Sequence, residues 1–120
     1  MEKLVTGFGG FFFRAKDAGT LGKWYEEHLG INSLQSGETW QQQAGSTVFM
    51  PFKQDTTYFG SPAQQFMINF RVTDLDALLA QLAEKGVRID EKKQDDEYGK
   101  FAWIYDPEGN KIELWQPVAE

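Results

Sequence analysis

The sequence has no cysteine and a single histidine, so two common sources of protein chemistry are missing before any motif is considered. Without thiols there is no disulfide, zinc finger, iron–sulfur cluster or cysteine nucleophile. Basic residues are also scarce: 12 Lys and Arg stand against 18 Asp and Glu, a formal charge of −6. Binding of nucleic-acid phosphates needs basic surface, so no nucleic-acid partner is expected. No apolar run approaches the roughly 18 residues of a membrane span, and no signal-peptide pattern opens the chain. The expectation is a soluble, cytoplasmic protein with no membrane partner. What is present fits one globular domain: 120 residues, 41% hydrophobic and 15% aromatic, enough apolar surface for a core.

An internal repeat organises the chain. Phe13, Arg14, Asp17 and Leu21 recur 57 residues later as Phe70, Arg71, Asp74 and Leu78. Each half opens on an apolar strand candidate, Phe8 to Arg14 and Phe66 to Val72, and runs through a helical pattern into Gly30-Ile31 or Gly86-Val87. The second helix is thus one residue shorter relative to its strand. Leu21, Trp24, Tyr25, His28 and Leu29 form one helical stripe, and Leu75, Leu78, Leu79 and Leu82 form another. Thr73 followed by Asp76 predicts a cap for the second helix, with Gly30 and Gly86 as left-handed terminators.

Short strand candidates follow each helix. In the first half they are Ser33 to Ser36, Thr39 to Gln43 and Ser46 to Phe52; in the second, Arg88 to Glu91, Gly99 to Tyr105 and Lys111 to Gln116. Asp106-Pro107-Glu108-Gly109-Asn110 is the strongest turn signal, with proline presetting one corner and Gly109 free to take positive φ. Residues 1–53 therefore read as one module, 54–65 as a linker and 66–120 as a second module. The linker's polar residues, Gly60, Pro62 and Tyr58-Phe59 fit a loop that covers a site. The expected fold is α+β: two tandem βαβββ modules forming a mostly antiparallel cupped sheet, helices on the outer face and a ligand cup on the other.

These residues resemble the vicinal oxygen chelate superfamily, which includes glyoxalase I, bleomycin-resistance proteins and extradiol dioxygenases. The resemblance covers nearly the whole chain. It rests on Phe12-Phe13-Arg14-Ala15-Lys16-Asp17 leading to Trp24-Tyr25-Glu26-Glu27-His28-Leu29-Gly30, on Phe70 to Asp76, and on Tyr105 to Leu114. It implies paired βαβββ modules, usually in dimers. Metal-dependent members place a ligand on the first and last strand of each module, which here fall at Gly10, Phe49, Met67 and Glu113. Only Glu113 can coordinate a hard cation, and no Asp, Glu or His lies between Glu38 and Asp55 or between Phe59 and Thr73. No metal and no cofactor are therefore expected.

Several residues carry two readings. Glu113 alternates with Ile112 and Leu114, so it faces the cup if they face the helices. There it acts as a general acid or base, or pairs with Lys111, Arg14 or Arg71. Arg14 and Arg71 hold equivalent places in the repeat. The resemblance implies that Arg14 holds an anionic substrate group, whereas both arginines could instead close strand ends on Asp17 or Asp74. Phe12, Phe49, Met67, Trp103 and Trp115, with Phe101 and Tyr105, supply either cup walls or core. His28 sits on a helix, where the helix dipole favours it. Tyr58 and Tyr98 are hydroxyl donors on loops, with nothing to raise them above solvent-facing residues. Gly7, Gly9 and Gly10 resemble a phosphate loop but precede a strand and lack its Lys-Ser/Thr ending.

The functional expectation is a homodimeric protein that binds a small aromatic or amphipathic molecule in a metal-free cup. The alternative is a lyase or isomerase using Glu113 for proton transfer and Arg14 to hold an anionic group. A metal-dependent glyoxalase or dioxygenase fits the ligand positions less well, and a structural or regulatory dimer would fill its cup with side chains.

Overall fold

The structure, a computed structural model, describes residues 2–119. Its elements are α1 (Ala18–Leu29), a short 3-10 turn (Leu34–Ser36), β1 (Ile68–Arg71), α2 (Leu75–Glu84), β2 (Arg88–Asp96), β3 (Gly99–Tyr105) and β4 (Lys111–Pro117). The four strands form one open sheet in the order β1-β4-β3-β2, with β1 parallel to β4 and the other neighbours antiparallel. The fold class is α+β, as expected. No helix among the described residues is long and apolar enough to cross a membrane.

Both helices use their predicted stripes and lie on the same face of the sheet. Leu21 and Tyr25 of α1 and Leu75, Leu79 and Leu82 of α2 pack with Ala102 and Ile104 of β3 and Ile112 and Leu114 of β4. Each fully buried Leu or Ile contributes about 2 kcal/mol by leaving water. The repeat is visible at the helix starts: Asp17 accepts from the Thr20 amide and Asp74 from the Ala77 amide, each at 3.0 Å. Bonds from the Thr20 amide and then its side chain hold the exposed Asp17 carboxyl below its usual range. The cap of α2 is therefore Asp74 and not Thr73, because the helix begins at Leu75 and only the Asp74 carboxylate reaches the free amide. Gly30 and Gly86 end the helices in the left-handed region, at φ 69° and 77°.

The Asp106–Asn110 turn ties α1 to the sheet. Buried Asp106 accepts from the amides of Glu108 and Asn110, from the Asn110 side chain and from the Tyr25 hydroxyl, the last at 2.8 Å. Glu108 in turn accepts from the amides of Lys16 and Asp17, at 2.7 and 3.0 Å, just before α1. A helix from the first module is thereby fixed on the sheet of the second. Burial, followed by the Asp106 bond and charge, pushes the Tyr25 hydroxyl well above the usual phenol range.

The second module is a complete βαβββ unit, whereas among the described residues no strand precedes Ile68. The candidates Phe8 to Arg14, Thr39 to Gln43 and Ser46 to Phe52 run without a ladder, and Ser33 to Ser36 contributes to the 3-10 turn instead of a strand. A strand exists only with a partner, and these segments carry Gly9, Gly10 and Pro51, which disfavour one. Most of their apolar side chains stay in solvent, Phe12 89% and Phe49 77% exposed, while Phe13 packs against the core. The radius of gyration, 15.1 Å, exceeds the about 13.6 Å of a compact domain of this length, consistent with extended arms. In the other direction, β2 continues five residues past Glu91 through Lys92-Lys93-Gln94-Asp95-Asp96. As an edge strand it tolerates charge on its exposed surface.

Candidate functional site

The sheet face opposite the helices carries the chemistry. Strand alternation sends Ile112 and Leu114 to the helical side, so Glu113 points the other way, in register with Trp103 of β3 and Asn69 of β1. Glu113 is 8% exposed, and three donors of the chain converge on its carboxylate. Asn69 Nδ2 reaches Oε1 at 2.7 Å, while Trp103 Nε1 at 3.0 Å and the Tyr58 hydroxyl at 2.5 Å reach Oε2. Tyr58 comes from the linker and not from the sheet. Its ring meets Trp103 edge to face and stacks on Phe52. Lys111 donates from Nζ to the Tyr58 carbonyl at 2.9 Å and holds its charge 5.3 Å from the Tyr58 ring and 5.6 Å from that of Trp103. Burial, with the Glu113 bond and charge adding to it, pushes the Tyr58 hydroxyl well above the usual phenol range, so it is a donor at neutral pH.

Further aromatics extend this face on both sides. Phe101 and Trp115 stack nearly parallel, 9° apart with centroids at 6.2 Å, and Trp115 Nε1 donates to the Tyr98 carbonyl at 2.9 Å. Tyr105 donates to Asp90 at 2.8 Å, and the Arg88 guanidinium lies 4.0 Å from the Tyr105 ring centroid. The Lys92 amide and then the Tyr105 hydroxyl hold the Asp90 carboxyl below its usual range; burial and Asp90 push Tyr105 up.

The sequence-predicted residues divide between this face and the arms. Glu113 and Trp103 meet directly, and Arg71 is in register with Trp115. Arg71 pairs with neither nearby aspartate. Its guanidinium donates to the backbone carbonyls of Ser46 and of Gln43, the latter at 2.8 Å, so it clamps an arm of the first module beside β1. Gly45 allows this close approach, since a Cβ there would lie 2.9 Å from the guanidinium carbon. Phe12 and Arg14 line a separate open cleft of about 700 Å³ together with Gln64, Phe66 and Asn110. That volume is within the range of small-molecule sites. Phe49 lies against Phe8, with centroids 5.9 Å apart, and Met67 is half-buried just before β1. A second cavity, beside Trp40 and Phe70, is only about 60 Å³. Asn69 was not foreseen as a site residue, and Lys111, weighed as an ion-pair partner of Glu113, instead bonds the Tyr58 carbonyl. Asn69 shares strand parity with Arg71, the one signal that could have marked it. His28 stacks on Trp24 on the helical side, with Nδ1 2.9 Å from the Trp24 carbonyl.

The donor set does not fit a divalent cation held by this chain. Of the four positions, Gly10, Phe49 and Met67 offer no hard ligand, and Glu113 already accepts from three donors. Among the described residues no three His, Asp or Glu side chains gather as a metal ion requires.

Three solved structures share the fold over most of their length. TnmS3, an antibiotic binding protein from Streptomyces sp. CB03234, is 21% identical, with a TM-score of 0.65 over 98% of this chain and 100% of its own. The trypanothione-dependent glyoxalase I of Leishmania major is 23% identical, with a TM-score of 0.53 over 87% of this chain and 81% of its own. Virulence protein STM3117 of Salmonella typhimurium is 20% identical, with a TM-score of 0.53 over 91% of this chain and 100% of its own. No curated protein sequence matches the chain. The sequence model of the Glyoxalase/Bleomycin resistance protein/Dioxygenase superfamily matches residues 7–114, and the chain belongs to that superfamily.

Proposed function

We propose that this protein binds a small planar aromatic or amphipathic molecule on the sheet face opposite its helices, without a metal, as a cytoplasmic homodimer. The observation that carries the reading is the composition of that face: Tyr105 and the stacked Phe101–Trp115 pair lie on either side of the buried Trp103 and Glu113. Flat aromatic surfaces beside a carboxylate already bonded to three donors suit stacking. The antibiotic-binding description of TnmS3, a full-length structural neighbour, agrees with this reading. Arg14, which the enzymatic alternative pairs with Glu113, lines a different cleft.

The homodimer rests on the arms. Phe8, Phe11 and Phe12 on one segment and Val48, Phe49 and Met50 on another are exposed large apolar side chains. A second copy that covers both segments would give their unpaired backbone a partner.

Titration with anthraquinone, acridine and naphthalene, followed by quenching of tryptophan fluorescence, tests the binding reading. Saturable binding at one site per protomer is expected, weakened about tenfold by Trp115→Ala. Failure of all three to saturate overturns it. Sedimentation equilibrium tests the assembly, and a monomer at all concentrations would refute the homodimer.

A further inference from the structure

Resting on the binding reading above, we infer that the innermost part of the aromatic face is a subsite for the un-ionised hydroxyl of a phenolic ligand, and that Tyr58 occupies it as an internal surrogate until the ligand displaces it. Tyr58 already shows how a phenol sits there. Its hydroxyl donates to Glu113, its ring edge meets Trp103, and the Lys111 ammonium lies 5.3 Å from its centroid.

The groups around it select one chemical class. Glu113 is an acceptor held in place by Asn69 and Trp103, so an arriving group must bring an O–H or N–H, and a carboxylate or phenolate is repelled. Lys111 opposes an ammonium or guanidinium while favouring the face of an aromatic ring. A neutral donor on an aromatic ring satisfies both conditions.

The loop that carries the occupant has few polar ties to the sheet. Between Lys53 and Gln64 the loop's own backbone bonds are local turns, Thr56 to Lys53, Gly60 to Thr57 and Gln64 to Ser61. Its polar ties to the sheet are the Tyr58 hydroxyl, the Tyr58 carbonyl held by the long Lys111 side chain, and Gln64, which bonds both backbone groups of Lys111. Gln64 fixes one end of the loop while Tyr58 latches its middle. Releasing the latch therefore requires no loss of sheet structure.

Equilibrium dialysis of 2-naphthol, 2-methoxynaphthalene and 2-naphthoate against the wild type, Tyr58→Phe, Tyr58→Ala and Glu113→Gln tests the inference. Tyr58→Phe keeps the ring and its packing but frees Glu113. It is expected to bind 2-naphthol about tenfold tighter than the wild type, because the ligand no longer displaces a charge-assisted bond. Tyr58→Ala is expected to show the same gain. Neither variant gains comparably for 2-methoxynaphthalene or 2-naphthoate, and Glu113→Gln reduces the preference for the naphthol. No gain with Tyr58→Phe, or an equal gain for 2-methoxynaphthalene, overturns the subsite while leaving the aromatic cup intact. Binding of none of the three probes to any variant overturns both.

Discussion

Tyr25→Phe isolates one of the hydrogen bonds that join α1 to the sheet. The substitution keeps the ring, and with it the edge contacts to Trp24 and Phe70, so it opens no cavity beyond one oxygen. What it removes is the 2.8 Å donation to Asp106, a carboxylate only 4% exposed. Hydrogen bonds to buried charged groups contribute about 1.5–3 kcal/mol. Asp106 Oδ2 keeps the Asn110 side-chain donor, which places the loss at the lower end, about 1.5–2 kcal/mol. Urea denaturation followed by tryptophan fluorescence is expected to show a midpoint lower by about 1 M with an unchanged slope.

The alkaline range supplies an independent check. Burial and Asp106 raise the Tyr25 hydroxyl above its ordinary value of 10.0, so the unfolded chain loses this proton first. The stabilisation is complete below about pH 10 and is lost as pH rises beyond it, at about 1.4 kcal/mol per unit. Tyr58 and Tyr105 ionise equally in wild type and variant and cancel in the difference. The gap between the two proteins is therefore expected to close by about pH 11. A difference below about 0.5 kcal/mol at neutral pH, or one that stays constant through pH 11, refutes the argument that this bond carries the junction.

Three further substitutions probe other contacts. Glu108→Ala removes the acceptor for the Lys16 and Asp17 amides and is expected to cost about 1–2 kcal/mol in urea denaturation, with Glu108→Gln recovering at most half, because its amide nitrogen cannot accept the second bond. Gly99→Ala places a Cβ 2.1 Å from the Gln116 carbonyl oxygen at φ +126°, so a loss of about 3 kcal/mol is expected in thermal unfolding. Arg71→Met releases the carbonyls of Gln43 and Ser46, and chymotrypsin is expected to cut near Phe49 several times faster while fragments spanning β2 to β4 persist. Unchanged cleavage would show that the clamp does not hold the arm.

The parts of the fold legible in the sequence are those governed by local periodicity. Leu21 and Tyr25, and Leu75, Leu79 and Leu82, fall on buried stripes because a helix repeats every 3.6 residues whatever it packs against. Ile112, Glu113 and Leu114 alternate as a strand must, which put Glu113 on the correct face before its partners were known. The Asp106–Asn110 turn declared itself through proline and glycine, with Gly109 at φ 83°. Among the described residues the strands expected in the first module do not form: Ser46 to Phe52 is rich in apolar residues, but pairing depends on an edge that local sequence does not supply. Tyr58 was legible as part of a loop over a site, but its partner was not, for a related reason. It lies 55 residues from Glu113, and a loop tyrosine carries no periodic mark of the side chain it will meet.

The repeat separates these two kinds of information within one molecule. Asp17 and Asp74 kept the same task, each capping its helix through the amide three residues on, because that bond is made entirely within four consecutive residues. Arg14 and Arg71 also stand at equivalent places, yet one lines an open cleft and the other grips two carbonyls of the opposite module. Their surroundings come from distant chain: Gln64 and Asn110 beside Arg14, Gln43 and Ser46 beside Arg71. The same divergence operates in the site. Gly10, Phe49 and Met67 offer no hard ligand, while Glu113 has Tyr58, Trp103 and Asn69 as donors. An acceptor in that setting reads hydrogen-bond donors, which is why a phenol, and not a metal ion, is the species to offer it first.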